Sequence, residues 1–388
     1  MRTNRNVKLL NAHAAFTGMM FVIPVIMPFY RDQMGLGFRE FLIAESAFAA
    51  TMVLLDVPTG WISDMWRRKD ILALGALLDM FGFGLMLLSH SLFMAALAQI
   101  VTGMGLALVS GTNSATLYES LMCNGREGEY RRREGKRAGF GLYSIACASV
   151  LGGFMYPRHH QWPVMFTILA LFCALVCACL MDEPERHRRS GGKHPIADIV
   201  ATARYAVLHP DVGLIIIFAA VMFCATKLIM WSQQPYYMAL GLPEGIYGIL
   251  MAVGFGLGGL SSHWGHALDG KVGTFRALAV AWAATVGTCL GAAMHLGLQG
   301  VALMMIGGSC TYGMTAPRVS EAINRHVDPA RRATILSTQS LLVSLLFIPL
   351  SWVLGFVAKH WGIQAVLFAL AVWLGIAGVS LVLWRRRS

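Results

Sequence analysis

The chain has 388 residues, of which 56% are hydrophobic and 13% charged, and its mean hydropathy is +0.60. A soluble domain carries about 25% charged residues, so this composition excludes the ordinary soluble classes. The net charge of +11 is assigned to contacts with anionic lipid and to cytoplasmic loops, and not to nucleic-acid binding.

Apolar runs near the roughly 20 residues that one bilayer crossing needs recur along the whole chain. Twelve spans are predicted: 9–30, 39–62, 71–90, 92–121, 137–156, 163–181, 212–231, 246–264, 275–294, 300–322, 334–356 and 363–384. Spanning helices satisfy their own backbone groups, and no short alternating strands of the barrel kind are present. No small-residue cleavage pattern follows the first span, which is read as a retained helix. With the N-terminus inside, 25 of the 31 Lys and Arg fall in inner segments, so both termini are predicted to be cytoplasmic.

In the second span Glu45, Met52, Asp56, Thr59 and Ser63 fall near one helical face. Ionisable residues inside a membrane are functional candidates by default, and a carboxylate in a partly dry cavity can exchange protons at working pH. Asp56 is the leading proton-coupling candidate, with Glu45 and Asp79 beside it; the alternative for Asp56 is a structural partner of a neighbouring helix or of the nearby cations. The fourth span carries a polar stripe of Asn113, Thr116 and Ser120, suited either to a cavity wall or to helix packing. Cys173, Cys177 and Cys179 in the sixth span read as packing residues, not as a metal site.

Residues 182–211 form the longest hydrophilic segment, and within it Ile196 to Leu208 suit either an amphipathic surface helix or a plain linker. The seventh span reads KLIMWSQQPYY. Lys227, Trp231 and Gln234 share a face, and Gln233, Tyr236 and Tyr237 surround Pro235, which is expected to break or bend the helix. A cation with aromatic and amide neighbours suits an anionic or polar organic solute; the alternative is neutralisation of Lys227 by Asp56 or Asp79. Glu119 and Arg318 lie near the inner ends of spans four and ten, placed either for a gating salt bridge or for separate snorkelling to the interface. Glu321 is a weaker candidate of the same kind. His263, His266 and Asp269 have a spacing that could suggest ligation but are read as interfacial, and no metal or cofactor is expected.

Three motifs recur about half a chain apart and in the same order. GWISD at Gly60 is echoed by GHALD at Gly265, SGTNSATLYE at Ser110 by SCTYGMTAPR at Ser309, and KRA at Lys136 by RRA at Arg331. The echoes imply a duplicated six-helix unit: residues 1–181 and 212–388 as bundles joined by 182–211, an architecture of transporters with a site between parallel halves.

The stretch DVPTGWISDMWRRKD, Asp56 to Asp70, between the second and third spans resembles the signature loop of the major facilitator superfamily, in its bacterial small-molecule efflux members. Gly60, Asp64, Arg68 and Lys69 match the pattern, whereas Met65 and Arg67 stand where a cation and a second Gly are usual. The resemblance implies that this loop pairs its charges with neighbouring helix ends and so stabilises one of two alternating states. Gln99 stands where drug/proton antiporters carry an Arg, and Ala148 and Ser149 replace the Gly-Pro of their motif while Gly152 and Gly153 remain. A standard multidrug antiporter is thereby disfavoured.

No Gly-rich, Lys-Ser/Thr phosphate loop is present, which argues against built-in ATP hydrolysis. No nucleophile–base constellation with useful spacing is found, so no enzyme activity is expected. The expectation is an all-α polytopic protein of twelve transmembrane helices in two pseudo-symmetric bundles. By resemblance it exports a small polar or amphiphilic organic molecule, such as a siderophore or another secondary metabolite, against protons across a bacterial inner membrane. An importer of a small organic solute is the alternative, and a membrane sensor or enzyme is the rival class.

Overall fold

The computed structural model describes residues 2–123, 125–183, 210–264, 273–294, 297–326 and 332–387, and among them every regular element is helical. In chain order these are α1 (Arg2–Gly18), α2 (Ile26–Met34), α3 (Phe38–Met65), α4 (Arg68–Leu87), α5 (Leu92–Val109), α6 (Thr112–Met122), α7 (Tyr130–Met155) and α8 (Trp162–Cys179). There follow α9 (Pro210–Ala239), α10 (Tyr247–Trp264), α11 (Thr274–Met294), α12 (Leu298–His326) and α13 (Arg332–Arg387).

Among the described residues nine stretches are long and apolar enough to cross a membrane. The last, Ser337–Trp384, is 48 residues long and holds two crossings, because Gly362 at φ 77° and ψ −177° breaks α13. α3 and α12, at 28 and 29 residues, have the length to span and contain most of the acidic and proline-bearing stretches picked out in the sequence. The chain is an all-α polytopic membrane protein.

Three helix interiors differ from the expected spans. The first run breaks after Gly18 and resumes through a short 3-10 turn at Ile23–Val25, where Pro24 supplies no backbone donor. The fourth breaks at Ser110 and Gly111, the latter at φ 78°, a conformation that glycine adopts without the Cβ penalty. Pro235, by contrast, does not break α9, which runs unbroken from Pro210 to Ala239.

The chain packs as two compact units. One comprises Met1–Leu36, Ala47–Gly192 and Pro243–Ala252, and the other comprises Gly37–Ser46, Lys193–Leu242 and Val253–Ser388. In the first, glycines let backbones approach, as is common where helices pack in lipid: Gly75 and Gly82 on α4 face Gly105 and Ala98 on α5, and Gly152 on α7 lies against the backbone of Phe21. In the second, Gly307 on α12 takes Thr288 of α11, and Gly313 takes Gly258 and Ser261 of α10.

A Cβ at Gly152 would overlap the Phe21 carbonyl, whereas one at Gly139 on the same helix would meet only a Tyr143 side-chain carbon at 3.8 Å. Gly152→Val is therefore expected to destabilise the detergent-purified protein by about 1–3 kcal/mol through overpacking, with Gly139→Val much nearer wild type. Equal thermal melting of the two variants would contradict this packing.

Candidate functional site

An ion pair of the second unit lies where the first turns of α3 pack on α9, its Glu45 buried and its Lys227 side chain 26% exposed. Lys227 Nζ is 3.0 Å from Glu45 Oε1 and 4.1 Å from the ring centroid of Phe347 on α13, so the ammonium has a carboxylate partner and an aromatic face. Phe41, one turn before Glu45, meets Trp231, one turn after Lys227, edge to face at 5.0 Å. Residues four apart share a helical face, so the two contacts are rungs of one antiparallel ladder. On α13 Trp352 donates its indole N–H to Ser46 Oγ at 3.0 Å. The indole N–H of Trp231 has no hydrogen-bond partner among the described residues, although the residue is only 6% exposed.

The two rungs bring Glu45, expected to couple protons, together with Lys227 and Trp231, expected to bind solute. The remaining seventh-span candidates have other contacts: Gln233 donates to the Met304 carbonyl at 3.3 Å, and the Tyr236 hydroxyl accepts from the Gly297 N–H at 3.4 Å. Gln234 is buried among the helices. Sequence reasoning considered Asp56 and Asp79 as partners for Lys227; the described partner is Glu45. Opposed charges at two helix-start and mid-helix positions 182 residues apart leave no local pattern by which the pairing could be read.

In the first unit the signature loop runs into α4. Arg68 is buried and bonds Glu119 on α6 through NH2 to Oε1 at 2.9 Å and Nε to Oε2 at 3.4 Å. The Arg68 and Lys69 backbone N–H groups donate to Glu183 at 2.9 and 3.2 Å, so a carboxylate caps the otherwise unsatisfied α4 start. Asn6 on α1 completes the junction, donating to the Asp182 carbonyl at 2.7 Å and accepting the Asp182 N–H at 2.9 Å. Glu119 is thus engaged by Arg68 within its own unit. Arg318, in the other unit, donates to the Met314 carbonyl of its own helix at 2.5 Å. The helices place Asp56, Gly60 and Asp64 on α3, but the side chains of residues 56–58 and 60–64 lie outside the described ones, as do His266, Asp269 and the segment Ile196 to Leu208.

Asp79 on α4 is buried, with its carboxyl against the Gly105 Cα and no hydrogen-bond or ion-pair partner among the described residues. Thr116 is buried and donates to the Thr112 carbonyl at 2.6 Å, while Asn113 Oδ1 has no partner among the described residues. Three residues of this unit escaped the sequence reading. Fully buried His13 has both ring nitrogens unbonded among the described residues, and Arg137 bonds Glu134 at 2.9 Å, which accepts from Ser114 at 2.8 Å. The only available signal was a histidine inside an apolar first span. A further network went unseen: Arg31 bonds Asp32 at 2.5 Å and Glu244 at 3.2 Å, and Tyr156 donates to Asp32 at 2.8 Å. Burial and then the Asp32 bond push the Tyr156 phenol upward, so it remains a donor.

The sequence matches the Major Facilitator Superfamily over residues 9–348. The chain belongs to the major facilitator superfamily. This superfamily member has solved structural neighbours over nearly its whole length. The nucleoside transporter NupG superposes with a TM-score of 0.82 at 13% identity, each chain 99% covered. A bacterial homologue of the human lysosomal transporter Spinster, inward-facing and unoccupied, gives 0.78 at 15%, covering 99% of this chain and 97% of the other. The POT family transporter PepTSo gives 0.75 at 12%, covering 99% and 98%. At these identities the likeness establishes the fold alone. No curated protein sequence matches the chain.

The Arg68–Glu119 bond is the described contact that fits the charge pairing implied by the signature loop. A double-mutant cycle with Arg68→Met and Glu119→Gln is expected to return a coupling of about 0.5–3 kcal/mol in the melting of the purified protein. A coupling of zero would remove this bond from the forces holding α4 to α6.

Proposed function

We propose that the protein is a secondary active transporter for a small polar or amphiphilic organic solute, coupled to protons, in a bacterial inner membrane with both termini cytoplasmic. The halves 1–181 and 212–388 alternate access to a central site, and residues 182–211 connect them. The Lys and Arg bias supports the orientation. The neighbours are transporters by their names, one of them a nucleoside transporter, and support a small-molecule solute without naming it.

The observation that carries this reading is the Glu45–Lys227 pair. A charge in a spanning segment is costly, and those that persist mark solute paths, ion paths and proton relays. Removing Lys227 from the pair leaves the buried Glu45 carboxylate uncompensated, which is costly. A proton arriving at Glu45 and a change in the partner of Lys227 are therefore one event, which is what coupling requires. Export is the direction implied by the resemblance of the Asp56 to Asp70 stretch. Import is the second reading, and the same pair favours it for an anionic solute, since an anion taking Lys227 leaves Glu45 to be neutralised by a proton moving the same way.

Flux of a metabolite panel in proteoliposomes, with and without an imposed pH gradient, tests the proposal and gives the direction. For one proton per solute, a gradient of one pH unit sustains up to about tenfold accumulation. Glu45→Gln is expected to bring that accumulation to parity while solute exchange persists, with Asp56→Asn and Asp79→Asn measured in parallel. Full pH-driven accumulation by Glu45→Gln would remove Glu45 from the coupling, and no flux for any solute would remove the transporter reading.

A further inference from the structure

We propose that Lys227 binds the carboxylate of an organic anion in place of the Glu45 carboxylate, with Glu45 taking up one proton for each anion bound. This rests on the transport reading in its import form, the second direction above, and adds to it a solute class, a stoichiometry and a sign of coupling.

The site already shows which ligand chemistry it accepts. Lys227 Nζ holds a carboxylate oxygen at 3.0 Å, lies over the Phe347 ring at 4.1 Å from its centroid, and has the Phe41–Trp231 aromatic pair one turn away. An ammonium over an aromatic face keeps part of its stabilisation when its anion is exchanged. A like-for-like exchange of carboxylates therefore costs less than leaving Lys227 without an anion. The buried Trp231 N–H with no acceptor among the described residues is a second, independent sign. Buried donors are almost always bonded, and a solute carboxylate with two oxygens offers acceptors that Glu45, held by its own backbone on α3, does not bring to this indole.

The proton follows from the charges in the pocket. Arg39 and Glu40 lie more than a turn before Glu45 on its own helix and face each other at 3.9 Å. Among the described contacts, α9 brings Lys227 itself and the Cys224 thiol within its electrostatic reach. The described α13 contacts are Phe347 against Lys227 and Trp352 against Ser46, the residue after Glu45, and neither ring titrates. When an anion occupies Lys227, its carboxylate and that of the buried Glu45 compete for the same ammonium. A proton from solution on a Glu45 oxygen restores neutrality, since an unpaired ionised carboxylate is the most costly occupant of such surroundings. Monoanion and proton thus bind together, the loaded site carries the same net charge as the empty one, and solute moves in the direction of the proton.

The test uses the purified full-length protein with sodium acetate, benzoate and p-aminohippurate as probes against chloride at equal ionic strength, read by thermal melting and by proton uptake in weakly buffered solution. At least one carboxylate is expected to raise the wild-type melting temperature more at pH 5.5 than at pH 7.5, with close to one proton taken up per anion bound. Glu45→Gln should bind the same carboxylate equally at both pH values without proton uptake. Because Lys227→Gln alone strands Glu45, loss of the site is tested in the double variant Glu45→Gln/Lys227→Gln, which should melt cooperatively and ignore carboxylates. The proposal is overturned if no carboxylate stabilises either wild type or Glu45→Gln, if wild type binds without proton uptake, or if the double variant still responds. Carboxylate binding without flux would refute the transport reading and leave this site standing. Proton-driven flux of neutral solutes without carboxylate binding would do the reverse.

Discussion

A charged group in hydrocarbon must be compensated from within its own chain, and this constraint organises the described interior. Glu45 has Lys227, Arg68 has Glu119, Arg137 has Glu134, and Arg31 has Asp32 and Glu244. Each pair joins helices or loops that the sequence keeps apart or ties a helix turn to itself, so the charge that is costly in lipid also fixes which surfaces meet. The aromatic contacts follow the same positions. Phe347 and the Phe41–Trp231 rung lie beside the second unit's pair.

Close backbone approach is the complementary device. The glycine facings on α4, α5 and α7 bring helices near enough for short side chains to meet, and there the buried Asp79 lies on a bare Cα of α5. At the α4 start the orphan N–H groups are satisfied by Glu183, a residue from the far end of the unit. The signature stretch is therefore anchored from two sides: its arginine side chain binds α6, and its backbone binds the segment after α8. The departures at Met65 and Arg67 leave both anchors intact, because both of those residues are exposed.

The helical class and most spans were legible in the sequence because hydropathy and length report the bilayer directly. Helix interruptions were less so. Pro235 suggested a break or a bend, and α9 runs through it without a break, whereas Gly111, unremarkable in the sequence, ends α5 through its backbone conformation. In the candidate site, Glu45, Lys227 and Trp231 were each visible as polar or aromatic residues in apolar runs. Their association was not, because pairing across 182 positions has no local period. His13 and the Arg31 network were missed for a related reason: a single histidine or a loop arginine carries no pattern until its surroundings are known.

The two described buried carboxylates differ in what a proton would change. At Glu45, protonation removes one side of an ion pair between α3 and α9, so it alters a force between helices and frees a cation for another anion. At Asp79 no partner is described and the neighbour is a glycine backbone, so a change of charge alters chiefly that group's own solvation. Coupling needs a group whose protonation changes the energy of one arrangement of elements relative to another. On that criterion the geometry favours Glu45, because a proton there changes a bond that holds two helices and not only the state of one side chain.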